Sequence, residues 1–309
     1  KKYNIRLINT PREKFIDLAK ELLDEHGLTT IDSFLRLGIS FNSYNKGNNI
    51  GEVYETDSPK YRELTQSTFI DLWDKGLIYE DERINNYCPG CKTTLADAEI
   101  EYEDIETYFN YVKFKVKETG EEIIIGTTRP ELICTCGMVI FNPEDKRYQH
   151  LKNKTVITPI FEKEIKIKPD SLAAIEKGTG LVMMCSAGDL SDIRFFRDNK
   201  LDPVIAIDEH GRMNKNAGFL QGLKVKEARD KIIENLKHND LLVKQERIVH
   251  RTPICERSKD HIEFISMKEF YLKQVEFKND IKKLVDKINF YDKTSKQILI
   301  DWINSVSID

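Results

Sequence analysis

Three constellations in this chain carry residue types that can do chemistry. The first is the hexapeptide Gly126-Thr127-Thr128-Arg129-Pro130-Glu131, which follows the apolar run Ile123-Ile124-Ile125. The run reads as a buried strand, and the proline forbids its ladder from continuing. A strand end that presents hydroxyls, a fixed cation and a carboxylate suits a small polar ligand. Taken alone, six such residues also describe a surface turn. The second constellation is Gly188-Asp189-Leu190-Ser191-Asp192, behind the apolar strand Leu181–Cys185. If a helix starts there, one aspartate caps it, which leaves the other to bind an ammonium group. Gly178-Thr179-Gly180, just before that strand, permits a tight turn and close backbone approach.

The third constellation is Cys88-Pro89-Gly90-Cys91. Pro and Gly inside the turn let both thiolates face one ion, as in zinc ribbons. Cys255 is the candidate third ligand, with His250 or His261 as fourth. Ser258 stands where a second Cys-x2-Cys pair needs its cysteine. Two readings stay open: a zinc site, or a metal-free knuckle that holds its shape by packing. No thioredoxin-like strand-then-helix pattern surrounds the pair, which disfavours a redox role. Cys134, Cys136 and Cys185 lie in or beside apolar strands and read as small buried residues.

Stepping outward, residues 1–84 read as helices. Thr10-Pro11-Arg12-Glu13 has the form of a capping box, and Gly27 is expected to stop the helix that follows. A second helix is predicted over 31–37, then a loop rich in Asn, Gly and Ser over 40–51. A third helix opens at Asp57 or Ser58, with Pro59 at its first position, and closes at Gly76. The apolar stripes, including Leu64, Phe69 and Trp73, are expected to face a core. Residues 105–245 read as strand-rich. Strands are expected over 108–116, 123–125 and 138–141, as a hairpin pair over 156–160 and 164–168, and over 181–185 and 204–207. Helices are expected from Leu190 and over 225–236. This density predicts a compact β-rich domain inserted between helical flanks.

The length of 309 residues allows two or three domains. With 40% hydrophobic and 32% charged residues the chain reads as soluble and globular. No apolar run approaches the ~20 residues that span a bilayer. Six cysteines in this length point to a reducing compartment, not a disulfide scaffold. The net charge of −4 does not advertise nucleic-acid binding, but leaves room for a local basic surface. A first residue other than methionine suggests a piece of a longer protein, as does an end that looks cut within an element.

Taken together, these motifs resemble a known family. Thr127-Thr128-Arg129-Pro130-Glu131, Asn142-Pro143-Glu144-Asp145-Lys146-Arg147-Tyr148 and Lys177-Gly178-Thr179-Gly180 are similar to the editing domain of the valyl, isoleucyl and leucyl aminoacyl-tRNA synthetases. The flanks agree: Tyr54-Glu55-Thr56-Asp57, Lys75-Gly76-Leu77-Ile78-Tyr79 and Cys88-Pro89-Gly90-Cys91-Lys92-Thr93 resemble the class I core and its zinc knuckle. Glu131 after Thr-Thr-Arg-Pro, and Gly211-Arg212-Met213-Asn214, resemble the valyl branch. Met183-Met184-Cys185 resembles its archaeal type.

The resemblance implies a mixed α+β fold, a small β-barrel with surrounding helices inserted into part of a Rossmann-type core. It implies core segments at 1–84 and 266–309, a knuckle at 85–105 with 245–265, and an editing domain at 106–244. The implied activity is hydrolysis of mischarged Thr-tRNA(Val). Ligation of valine to tRNA, with ATP and Mg, belongs to the full-length enzyme, because the His-Ile-Gly-His and Lys-Met-Ser-Lys-Ser signatures are absent here. Thr127, Thr128 and Arg129 are then expected to line the pocket, with Glu131 beside them. Asp192 is expected to bind the α-ammonium, Asp189 to contact the threonine hydroxyl or order the site, and Glu176 to touch the terminal ribose. Met183 stands where many relatives carry lysine. Zinc at Cys88, Cys91 and Cys255 is expected to be structural. A cytoplasmic monomer is expected, with tRNA as partner and neither membrane nor DNA. The alternatives are an isoleucyl editing domain acting on Val-tRNA(Ile), and a non-catalytic zinc-ribbon module that binds tRNA.

Overall fold

The computed structural model describes Tyr3, Ile5, residues 9–39 and residues 56–309. The loop expected over 40–51, and Tyr54 and Glu55 of the quoted motif, lie outside the described residues. The chain divides into two units, one of residues Lys1–Glu82 with Lys268–Asp309, the other of Arg83–Met267.

In the first unit, helix α1 spans Arg12–Arg36 and α2 spans Pro59–Asp74. Gly27 does not stop α1, so the two helices expected over this stretch are one. A lone glycine costs only about 1 kcal/mol in a helix, and the turns around it are hydrogen-bonded. Thr30 and Ser33 add side-chain bonds to the carbonyls of His26 and Thr29, at 2.9 and 2.8 Å. The capping box expected at Thr10 is replaced by Pro11 at the N-cap, where no side chain can accept a bond. α2 opens as expected: Ser58 Oγ accepts the Tyr61 N–H at 3.3 Å, and Pro59 takes the first position. The expectation that the stripes face a core is not met. Leu64, Phe69 and Trp73 stand exposed, and α2 buries none of its residues among those described. Phe69 and Trp73 meet Phe270 edge-on, with ring centres 5.2 and 5.8 Å away. Two further helices, Lys278–Val285 and Lys293–Ser305, complete this unit.

The second unit is built on strands. In chain order these are β1 (Ile78–Cys88, entering from the first unit), β2 (Thr93–Thr94), β3 (Ile100–Val116), β4 (Glu122–Thr127), β5 (Cys136–Phe141), β6 (Thr155–Ile157), β7 (Glu164–Pro169) and β8 (Leu181–Cys185). Helices α3 (Leu190–Asp198) and α4 (Val225–His238) follow, then β9 (Leu242–Cys255) and β10 (Glu263–Leu272). One sheet has the order β10-β1-β2. The other runs β4-β3-β6-β7-β5-β8, with β9 also on β3, and curls into a half-barrel. β5 and β7 are parallel, and β3–β4, β5–β8 and β6–β7 are antiparallel.

β3 is long because it serves three partners: β9 pairs along it from Ile100, opposite Cys255, to Val112, β4 from Asn110 to Lys115, and β6 at Lys115 and Val116. The main core lies inside the curl. Val112, Phe114, Ile125, Val139, Phe141 and Ile167 are each at most 1% exposed there, closed over by Ile232 and Leu236 of α4. The strand expected over 204–207 does not form beyond a single bridge between Ile207 and Met213. The Ile205 carbonyl is taken instead by the side-chain amides of Asn214 and Asn216, at 2.9 and 2.7 Å. Local side-chain bonds of this kind compete with a ladder. No helix among the described residues is long and apolar enough to cross a membrane.

Candidate functional site

β4 delivers the start of the hexapeptide and ends at Thr127, ahead of Pro130. Asn110, opposite Thr127 on β3, donates its side-chain amide to the Thr127 carbonyl at 3.1 Å. The Thr127 hydroxyl then accepts the Arg129 N–H at 3.0 Å and bends the chain out of the sheet. Pro130–Thr135 continues as a buried 3₁₀ turn. Gly126 is needed for packing: a Cβ there would lie 2.2 Å from the Phe109 ring. Thr128 is half-buried at the strand end.

Behind this strand end runs a buried ionic chain. Arg129 donates Nε to Glu131 Oε1 at 3.0 Å and Nη2 to Glu263 Oε2 at 2.8 Å. Glu131 is fully buried and accepts a two-pronged grip from Arg229 of α4, Nε to Oε2 at 3.0 Å and Nη2 to Oε1 at 2.8 Å. Burial by itself raises the Glu131 carboxyl, but the Arg129 and Arg229 charges outweigh it and hold the pKa below the ordinary value. Burial likewise opposes the Arg129 charge, and the Glu263 and Glu131 carboxylates overturn that. Both oxygens of Glu131 are thus turned to the arginines.

The aspartates divide their work as the capping rule requires. Asp189 is the N-cap of α3, its Oδ1 accepting the Asp192 N–H at 2.9 Å. Asp192 sits half-buried in the first turn, and its Oδ1 accepts the Cys185 N–H at 3.3 Å. Gly188 makes room for it, since a Cβ there would lie 2.2 Å from Asp192 Oδ2. No ion pair reaches Asp192 from a described residue. Burial, then the neighbouring Asp189 charge, push its pKa up to about 8; the Cys185 N–H and the more distant Arg129 charge act the other way. The strand end and the Asp189–Asp192 turn therefore share one electrostatic neighbourhood.

The remaining candidates fall in different places. Met183 on β8 packs into the main core at 8% exposure, so it offers only an apolar wall. Glu176 is exposed on the loop before Gly178, where its charge acts on Arg147. His250 does not stand at the cysteines: it pairs with Ile105 in the β3–β9 ribbon. Burial lowers its pKa, and so do the positive charges of Lys177, Arg129 and Arg229, with Asp189 opposing. His250 thus belongs to the neighbourhood of the strand end. Arg229 and Glu263 carry no motif and had no signal in the sequence.

The structure brings Cys88, Cys91 and Cys255 together, their Sγ atoms all within 4.8 Å of one another. Cys91 and Cys255 Sγ are 3.8 Å apart. Tetrahedral zinc with bonds of ~2.3 Å needs a sulfur–sulfur edge of about 3.8 Å. Neither His250 nor His261 joins this group. Ser258 Oγ lies beside the group, 3.1 Å from Cys88 Sγ. The donor set fits a zinc ion with three thiolates and one oxygen.

Comparison with known proteins agrees with this architecture. The family of class I tRNA synthetases (I, L, M and V) matches residues 3–307. A valine–tRNA ligase of Pyrobaculum aerophilum is 46% identical over 309 residues, all of this chain and 37% of the relative. One of Aeropyrum pernix is 44% identical over 96% of this chain and 35% of its own length. One of Rickettsia conorii is 35% identical over all of this chain and 37% of its own length. The chain thus spans little more than a third of these curated relatives.

The raised Asp192 pKa has a consequence for stability. Its neutral form is the favoured one in the fold, so the folded state holds a proton between about pH 4 and pH 8 that the unfolded chain releases. That contribution is whole below pH 4 and is lost as pH rises through about 8. We expect Asp192→Asn to match wild type in thermal midpoint near pH 4 and to exceed it by at least about 2 °C at pH 9. Equal midpoints at both pH values would contradict the burial argument.

Proposed function

The chain belongs to the class I tRNA synthetases, and from that premise we propose that its strand-rich unit hydrolyses threonine misattached to tRNA(Val). The whole protein would then be a valine–tRNA ligase that joins valine to tRNA(Val) with ATP and Mg. A hydrophobic pocket rejects an added hydroxyl by only about 10²-fold, so a synthetic site that selects valine needs a second site against threonine.

The observation that carries this reading is Asp192. A half-buried carboxylate with no cationic partner among the described residues is a vacancy for a cation. An α-ammonium group fits it, and binding would pull the carboxyl back to its ionised form. Arg129, whose charge reaches Asp192, would supply directed N–H donors, and the Thr127 hydroxyl fixes its backbone. Asp189, with one oxygen given to the helix cap, keeps the other for the threonine hydroxyl. Thr128 and Glu176 would meet the terminal nucleotide, and Met183 would close the apolar side. An aminoacyl ester is already activated, so these residues need only hold it and stabilise the developing oxyanion while water attacks.

A zinc ion held by Cys88, Cys91, Cys255 and Ser258 would supply structure here and no chemistry. Purified chain is expected to carry about one zinc. Cys88→Ser should abolish retention and lower the thermal midpoint, whereas Ser258→Cys should slow zinc loss to a chelator. A zinc-free protein whose midpoint is indifferent to Cys88→Ser would contradict this site.

The function is tested by deacylation. Thr-tRNA(Val) should be hydrolysed in preference to Val-tRNA(Val) and Val-tRNA(Ile). Asp192→Ala should lower the rate by about 10²-fold, as losing one partner of a desolvated charge pair does. Preference for Val-tRNA(Ile) would move the chain to the isoleucyl branch. Binding of tRNA with no hydrolysis would make it a binding module.

A further inference from the structure

The buried ionic chain does more than fill space. Its four members come from four places: Arg129 after β4, Glu131 in the 3₁₀ turn, Arg229 on α4 and Glu263 on β10. Two positive and two negative charges sum to zero. Arg129 is the member that the proposed pocket uses, and about a fifth of its side chain remains exposed. Of its five N–H donors, Nε is held by Glu131 and one on Nη2 by Glu263. Two carboxylates on adjoining nitrogens fix the plane of the guanidinium, so the Nη1 edge has one direction to face.

We infer that Arg229 and Glu263 are positioning residues of this pocket: Glu263 holds Arg129 directly, and Arg229 holds it through Glu131. The inference rests on the hydrolytic reading given above. Each link is needed for a separate reason. Glu131 is fully buried and has two oxygens to satisfy. Arg229 takes both, which leaves Oε1 to share one bond with Arg129 Nε. Without the fork from Arg229, Glu131 would close on Arg129 with both oxygens and turn its plane. Lysine keeps the charge at that position but has no fork. Without the Glu263 charge, Arg129 becomes an unbalanced cation. Its charge already acts on Asp192, whose vacancy the substrate needs. Glu263 thus keeps Arg129 a directed donor and keeps it from capturing Asp192.

The test uses Glu263→Gln and Arg229→Lys, both close in shape to the native residues, in the chain labelled at arginine nitrogen. Two readouts are taken. In wild type, the Arg129 Nε–H should give a resonance protected from solvent exchange. Both variants should broaden or lose it while the rest of the spectrum is retained. In deacylation of Thr-tRNA(Val), both should lower kcat by about 10- to 100-fold with little change in KM, and neither should lower it further on an Arg129→Ala background. Rate losses that multiply with Arg129→Ala, or an Arg129 resonance unchanged in both variants, would overturn the inference. A wild type inert on Thr-tRNA(Val), with the resonance still lost in both variants, would sink the hydrolytic reading and leave the positioning role standing.

Discussion

A carboxylate removed from water must be answered by cations, and Glu131 is the place where this protein meets that demand. Removing such a group from solvent costs on the order of several kcal/mol unless its oxygens are taken up. Arg129 and Arg229 take them up, and Arg129 is answered in turn by Glu263. The requirement of one buried charge therefore ties the end of β4, the turn after it, α4 and β10 to one geometry. The β-sheet supplies the elements, and this chain fixes how their ends face one another.

Asp192 is the opposite case. It too is drawn from solvent, by the start of α3 and by the absence of a side chain at Gly188. No described residue brings it a cation, and burial with the Asp189 charge raises its pKa to about 8. One carboxylate is saturated and structural, and the other is left wanting a partner. That asymmetry is what the proposed binding site at the strand end rests on. It also suits the proposed hydrolysis, since an ester already activated needs placement and a few aimed donors, not a nucleophile.

Much of this was legible where the governing interaction is local. The strand through residues 123–125, its end ahead of Pro130, the hairpin of β6 and β7 and the capping of α3 by one of its two aspartates follow from neighbours in sequence. The cysteines converge as the Cys-x2-Cys turn suggests, with Ser258 and no histidine beside them. What was not legible depends on tertiary pairing. Arg229 and Glu263 lie 98 and 134 residues from their partners and carry no motif. β9 escaped notice because a ribbon exposed along much of its length has no apolar alternation to read. α1 runs through Gly27 because one glycine cannot outweigh the hydrogen bonds around it. The stretch 204–207 had a strand's composition, yet two asparagine side chains took the carbonyl that a ladder needs.

The account turns on Asp192 being a carboxyl held neutral by burial until an ammonium group arrives. Carbon-detected NMR titration of its carboxyl, with and without a non-hydrolysable 3′-threonylamido adenosine, measures this directly. The account predicts a pKa near 8 in the free protein, falling well below neutrality once the analogue is bound. A value in the ordinary aspartate range in the free protein, or one that the analogue leaves unmoved, would contradict it.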